Sequence, residues 1–100
     1  MMENRTINAA IQVVPLIGNP MAYQIVDECI AIIQQSGLHY EVGPFETAID
    51  GTYEQIIDII TKIKNHCLTL NANEIIINTK MSFRKNGDAL MDEKINKYRK

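Results

Sequence analysis

The stretch "YEVGPFETAIDG", residues 40–51, decides how this chain is put together. It opens as an alternating strand, breaks at Gly43-Pro44 and resumes as a second extended run, "FETAID", that Gly51 ends. Extended runs on both sides of a Gly-Pro break predict a short hairpin. Upstream, "LHYEV" sets Leu38, Tyr40 and Val42 on one face and His39 and Glu41 on the other, the pattern of a half-buried strand. Downstream, Thr52 and Gln55 have the spacing of a capping box, so a helix opens as soon as the hairpin closes.

Residues 6–17, "TINAAIQVVPLI", read as a strand from their β-branched and small apolar residues. Ile7, Ala9, Ile11, Val13 and Pro15 share one face; Asn8, Ala10, Gln12 and Val14 share the other. Pro15 has no N–H for a ladder, so the regular strand ends or bulges there. Asn19 as N-cap and Pro20 at the first helical position start a helix to about Gln35, closed by Gly37. Ile25, Cys29, Ile32 and Ile33 form its apolar stripe. The second helix carries Ile56, Ile60, Ile63, Cys67 and Leu70 on its buried side and stops near Asn71. Residues 74–84 form the last strand. After "KNGD" a short basic helix starts at about Asp88, with Leu90, Met91, Ile95 and Tyr98 available for docking.

The order strand, helix, strand, strand, helix, strand is the split βαβ pattern of an α+β, ferredoxin-like fold. Two right-handed crossovers put both helices on one face of an antiparallel four-stranded sheet. We expect one domain over residues 1–100, with the extra helix at the C-terminus. In the last strand, Ile75, Ile77, Thr79 and Met81 are expected to face the helices. Ile76, Asn78, Lys80 and Ser82, with Ala10, Gln12, Val14 and Ala48, are expected on the open face. That face is apolar enough to predict a homo-oligomer, a dimer or tetramer, that covers it.

The bulk numbers agree with an ordinary globular domain: 46% hydrophobic and 22% charged residues, with a formal charge of −2. That acidic balance argues against general nucleic-acid binding, and RNA recognition through this fold needs stacked aromatics on the central strands. The first strand has none and the last only Phe83. Charge is uneven: residues 80–100 hold seven Lys/Arg against three Asp/Glu. We read that tail as a solvated face or as a partner for a neighbouring subunit. No run reaches the ~18 apolar residues of a membrane span, and the polar first eight residues are unlike a cleavable signal. The expected location is the cytoplasm, with Cys29 and Cys67 reduced and in the core.

Several chemistries are disfavoured. Glu46 and Asp50 in extended chain lie ~13 Å apart, too far for the roughly 5–9.5 Å of a glycosidase pair. His39 and His66 share no metal-ligand spacing with either cysteine, and the glycines form no phosphate-cradling loop. No catalytic role and no metal are expected. Two readings remain: a hairpin whose polar residues are merely solvated, or a pocket that combines Phe45 or Tyr40, Glu46 and Thr47 with Gln12. The second suits a cationic heteroaromatic ligand, stacked on a ring and balanced by a carboxylate. Gln12 both donates and accepts, as reading an aminopyrimidine edge requires.

"IQVVP" at 11–15, "GLHYEVGPFETAIDG" at 37–51, Lys80 and "DEKINKYR" at 92–99 together resemble the small thiamine-binding protein family. The resemblance covers nearly the whole chain. It implies non-catalytic binding of thiamine or a related pyrimidine in a dimer or tetramer, with no resident cofactor. Gln12, Pro15, Gly43, Pro44, Phe45, Glu46, Thr47, Asp50 and Gly51 fall on the family's motif, the glycines and Pro44 as shape residues. The chain departs from that motif at Ala48, where a second Thr is common, at Glu74 in place of Arg and at Ser82 in place of Asp. The last two departures imply a lost inter-subunit ion pair or a changed ligand.

Overall fold

A computed structural model describes residues 5–99. Strand β1 (Thr6–Pro15), helix α1 (Met21–Gln35), strands β2 (His39–Val42) and β3 (Thr47–Thr52), helix α2 (Tyr53–Cys67) and strand β4 (Ile75–Ser82) follow in that order. A single helical turn, α3 (Met91–Ile95), and a 3₁₀ turn at Asn96–Tyr98 complete the chain. The sheet order is β2-β3-β1-β4 and every pairing is antiparallel. This is the ferredoxin-like arrangement the element order predicts. The single-domain expectation extends over residues 1–4 and 100, which lie outside the described residues.

The core is a layer of isoleucines between sheet and helices. Ile7, Ala9 and Ile11 of β1 and Ile49 of β3 point from one sheet face into the stripe Ile25, Cys29 and Ile33 of α1. From α2 the same layer receives Ile56, Ile59, Ile63 and Cys67. Ile59 thus occupies the deep position expected of Ile60, which is only half-buried. Both residues lie on the apolar side of α2, and the rotation of the helix on the sheet selects between them. Ile75, Ile77 and Met81 of β4 pack against this core as expected, whereas Thr79 is exposed and donates its hydroxyl to the Ala10 carbonyl at 3.0 Å.

Three local expectations need correction. Asn19 does not cap α1: Pro20 is the N-cap, its carbonyl accepts from the Gln24 N–H at 3.1 Å, and no side chain caps that end. Asn19 is one position too early to reach the first-turn N–H groups. Gly51 does not end β3, because it pairs with Ile7 while Thr52 pairs with Thr6. And α2 stops at Cys67, with Leu68 as C-cap, four residues before Asn71.

Thr52 is therefore both the last strand residue and the N-cap of α2. Its hydroxyl accepts from the Gln55 N–H at 3.2 Å and the Gln55 side chain accepts from the Thr52 N–H at 2.9 Å. With no linker between strand and helix, this reciprocal pair holds the corner. Thr52→Ala is expected to cost about 1 kcal/mol, visible as a lower urea midpoint with an unchanged slope. At the other end of the first crossover Gly37, at φ 77°, occupies the left-handed position after α1.

The C-terminal segment docks on its own sheet. The Ala89 N–H donates to the Thr6 carbonyl at 2.9 Å, and the Thr6 N–H donates to Asp88 Oδ1 at 2.9 Å. Ala89 and Met91 are fully buried by this docking. The helix is shorter than expected from Asp88 and starts at Met91; Tyr98 stays exposed. The end of the open sheet face around Asn8 and Asp50 is covered in this way.

Candidate functional site

The face away from α1 and α2 is organised in rows across the strands. His39, Asp50, Asn8 and Ser82 form one row by register. Glu41, Ala48, Ala10 and Lys80 form the next, and Gln12 with Asn78 the third. Glu46 shares the parity of Ala48 and Asp50, so it projects on this same side.

The first row is occupied by the C-terminal segment. Asp50 accepts from the Met91 N–H with both carboxylate oxygens, at 3.0 and 3.3 Å, and from Asn8 Nδ2 at 3.3 Å. Lys94 Nζ donates to Asn8 Oδ1 at 3.3 Å. Arg99 donates to Asp92 at 2.8 Å and also to Glu41, and His39 stands 3.4 Å from Asp92. The hydrogen bond from Arg99, helped by His39, holds the Asp92 carboxyl below its ordinary value of 3.8. Arg99 in turn is raised, first by Asp92 and then by Glu41. A depressed carboxylate contributes stability above its unfolded pKa, and that contribution is lost as pH falls through the folded value. The Arg99 strap is therefore expected to hold at neutral pH and to loosen below about pH 3.8. Amide exchange at residues 96–99, followed from pH 6 to 3, reads this directly.

Beyond the strap the second and third rows open into a cleft of about 530 Å³ at the hairpin. Gln12, Glu41, Gly43, Pro44, Phe45, Glu46, Ala48 and Lys80 line it. The hairpin turns through Pro44 and Phe45, with the Gly43 N–H donating to the Glu46 carbonyl at 2.9 Å. A Cβ on Gly43 would come within 2.9 Å of that same oxygen. Glycine there lets the two chains close tightly enough to aim Phe45 and Glu46 over the sheet.

Of the residues singled out in the sequence, the structure brings Gln12, Phe45 and Glu46 together at this cleft. The side chains of Tyr40 and Thr47 turn to the helix side of the sheet. Tyr40 pairs with Ile49 and packs against the core. Thr47 is 4% exposed and lines a crevice of about 80 Å³ that shares Gln12, Phe45 and Glu46 with the cleft and runs inward to Cys29 and Ile33. Strand parity separates them: odd positions of β3 and even positions of β2 face the helices. Asp50 is on the right face but its carboxylate is committed to Met91 and Asn8. Glu41 lines the cleft and was missed, although its alternation with Tyr40 placed it on this face.

The two cleft carboxylates differ in availability. Glu41 is held by Arg99. Glu46 is 3.5 Å from Lys80, whose side chain is 78% exposed. Such a solvated pair is worth little, so Glu46 can exchange its lysine for another cation. Gln12 Oε1 accepts from Asn78 Nδ2 at 3.1 Å, which leaves the Gln12 amide nitrogen to serve as a donor. Phe45 is 79% exposed, an aromatic ring at the rim with no aromatic stacked on it among the described residues.

A second cleft of about 590 Å³ lies at the other end of β1, beside Tyr53 and Phe83, whose ring centroids are 6.0 Å apart. Its guanidinium groups are already engaged: Arg5 with the carbonyls of Arg84 and Lys85, and Arg84 with the Asp88 carbonyl and Glu93. The hairpin cleft, with an exchangeable carboxylate, an amide and a free ring, is the better candidate. Among the described residues no cluster of His, Cys, Asp and Glu is arranged to hold a metal ion, and no helix is long and apolar enough to cross a membrane.

The fold and the cleft define an α+β protein of ferredoxin-like architecture with an aromatic-rimmed concavity on the open face of its sheet. Comparison with known proteins makes this more specific. Residues 9–99 match the thiamine-binding protein family, and the chain belongs to that family. It is 34% identical over 94 residues to a UPF0045 protein of Clostridium perfringens, covering 94% of this chain and 98% of the relative. A Bacillus cereus structure described as a domain of unknown function, DUF77, superposes with a TM-score of 0.88 at 31% identity, over 99% of this chain and 95% of that one. A Thermotoga maritima structure, described as a candidate thiamine biosynthesis/salvage protein, gives 0.87 at 26% identity, over 94% of this chain and 99% of the other.

Proposed function

We propose that this protein binds thiamine or a related pyrimidine in the hairpin cleft, without turning it over, as a carrier or sensor in the cytoplasm. The observation that carries this reading is Glu46: a carboxylate whose one side-chain partner among the described residues is an exposed lysine, beside the exposed ring of Phe45. A thiazolium or aminopyrimidine cation would take the place of Lys80, its ring would lie on Phe45, and Gln12 would meet a polar ring edge. Calorimetry with thiamine, its phosphate esters and hydroxymethylpyrimidine tests it. We expect saturable heat with at least one of them, and none at millimolar ligand would remove the proposal. Unchanged ligand after prolonged incubation is the expected result for a binder; a released product would make the protein an enzyme of thiamine metabolism instead.

Self-association is part of the same proposal. Phe45 at the cleft and, at 42% exposure, Ile76 farther along the same sheet face present apolar surface to solvent. A second copy laid on this face would cover both and close the cleft. Sedimentation equilibrium at micromolar concentration should give a dimer or tetramer; a monomer would overturn this part. The exposed ring and isoleucine also favour one rival, an assembly module with no small ligand, which predicts the same oligomer and silent calorimetry.

A further inference from the structure

We propose that Cys29 and Cys67 are a disulfide-forming site, which a low-molecular-weight disulfide converts into a covalent staple between α1 and α2. The two residues are 38 apart in sequence, yet their sulfurs are 3.4 Å apart, each cysteine only 1% exposed. A disulfide needs ~2.05 Å, so each sulfur has to move only about 0.7 Å from its place in the fold. The neighbouring residues repeat the pairing. Glu28, just before Cys29, meets His66, just before Cys67, at 2.6 Å. Two successive residues on each helix thus face each other, which sets the register the staple requires.

The same burial controls access. It pushes the Cys29 thiol up to about 12, so Cys29 holds almost no thiolate near neutrality while packed. Cys67 is the last residue of α2 and is followed by the exposed Leu68. Fraying of that final turn uncovers Cys67 first. Its thiolate attacks one sulfur of the small disulfide, giving a mixed disulfide and releasing one thiol. Cys29 then loses its proton to solvent and attacks the protein-side sulfur, forming the Cys29–Cys67 bond and releasing the second thiol. Two protein thiols are oxidised and one small disulfide is reduced to two thiols.

The test is equilibration of the full chain in glutathione buffers of varied ratio at pH 8, followed by acid quenching, alkylation and peptide mapping. We expect the Cys29–Cys67 disulfide to form with an effective concentration at least tenfold higher in the native protein than in 6 M guanidinium. The oxidised form should melt on the order of 10 °C higher, and dithiothreitol should reverse both changes. An effective concentration in the native protein equal to or below that of the denatured chain would overturn the proposal. So would trapping only mixed disulfides or crosslinks between copies. The measurement is on the unmutated protein, so a folding defect cannot mask the result.

Discussion

Asp50→Ala should destabilise the fold by about 1.5–3 kcal/mol, the range for hydrogen bonds to a charged acceptor, and lower the urea midpoint by about 1–2 M. The carboxylate receives the Met91 N–H and Asn8 Nδ2 together. Removing it leaves the N–H of a buried residue without its acceptor and frees the end that buries Ala89 and Met91. The C-terminal segment should then become accessible to limited proteolysis between Asn86 and Arg99. Asp50→Asn keeps one acceptor oxygen and should lose only about 1 kcal/mol. The family motif suggested Asp50 as a ligand residue, and the two roles separate cleanly in this experiment. A structural Asp50 predicts lost stability with ligand affinity unchanged in the fraction still folded. Unchanged stability with lost affinity would return Asp50 to the cleft.

The parts of the molecule that follow from local alternation were legible in the sequence. The Gly43-Pro44 break gave the hairpin, the capping box gave the corner at Thr52, and parity along β1 and β4 assigned both faces of the sheet. The same parity, applied to β2 and β3, would have turned Tyr40 and Thr47 to the helix side and added Glu41 to the open face. What alternation could not supply was long-range contact. Nothing near Asp50 announces Met91, and nothing near Glu41 announces Arg99, 58 residues later. Cys29 and Cys67 each read correctly as core, but their contact depends on how α1 and α2 lie against each other. The basic tail is a related lesson: Arg99 and Lys94 reach Glu41 and Asn8 on the same chain's open face, while Arg84 and Arg99 also pair with Glu93 and Asp92 of α3, which net charge alone does not reveal.

The most demanding test of the ligand reading is a pair of substitutions expected to act in opposite directions. Glu46→Gln keeps the size and a hydrogen-bonding oxygen but removes the charge. It should weaken thiamine about tenfold, while a neutral hydroxymethylpyrimidine changes less than about twofold. Lys80→Ala frees Glu46 from its partner at 3.5 Å. It should strengthen thiamine by about two- to fivefold, the worth of an exposed ion pair. Both differences should shrink in 0.5 M salt, because the groups are solvated enough to be screened. Neither change touches the core, so thermal midpoints should stay within a few degrees, and affinity reports on the cleft alone. Glu41→Gln serves as the contrast: Arg99 already holds that carboxylate, so its loss should loosen the C-terminal strap more than it weakens the ligand. If Glu46→Gln and Lys80→Ala both weaken thiamine, charge exchange at Glu46 is wrong even though the cleft binds. If neither matters while Phe45→Ala abolishes assembly, the hairpin is a contact between copies and the cleft has no ligand of this class.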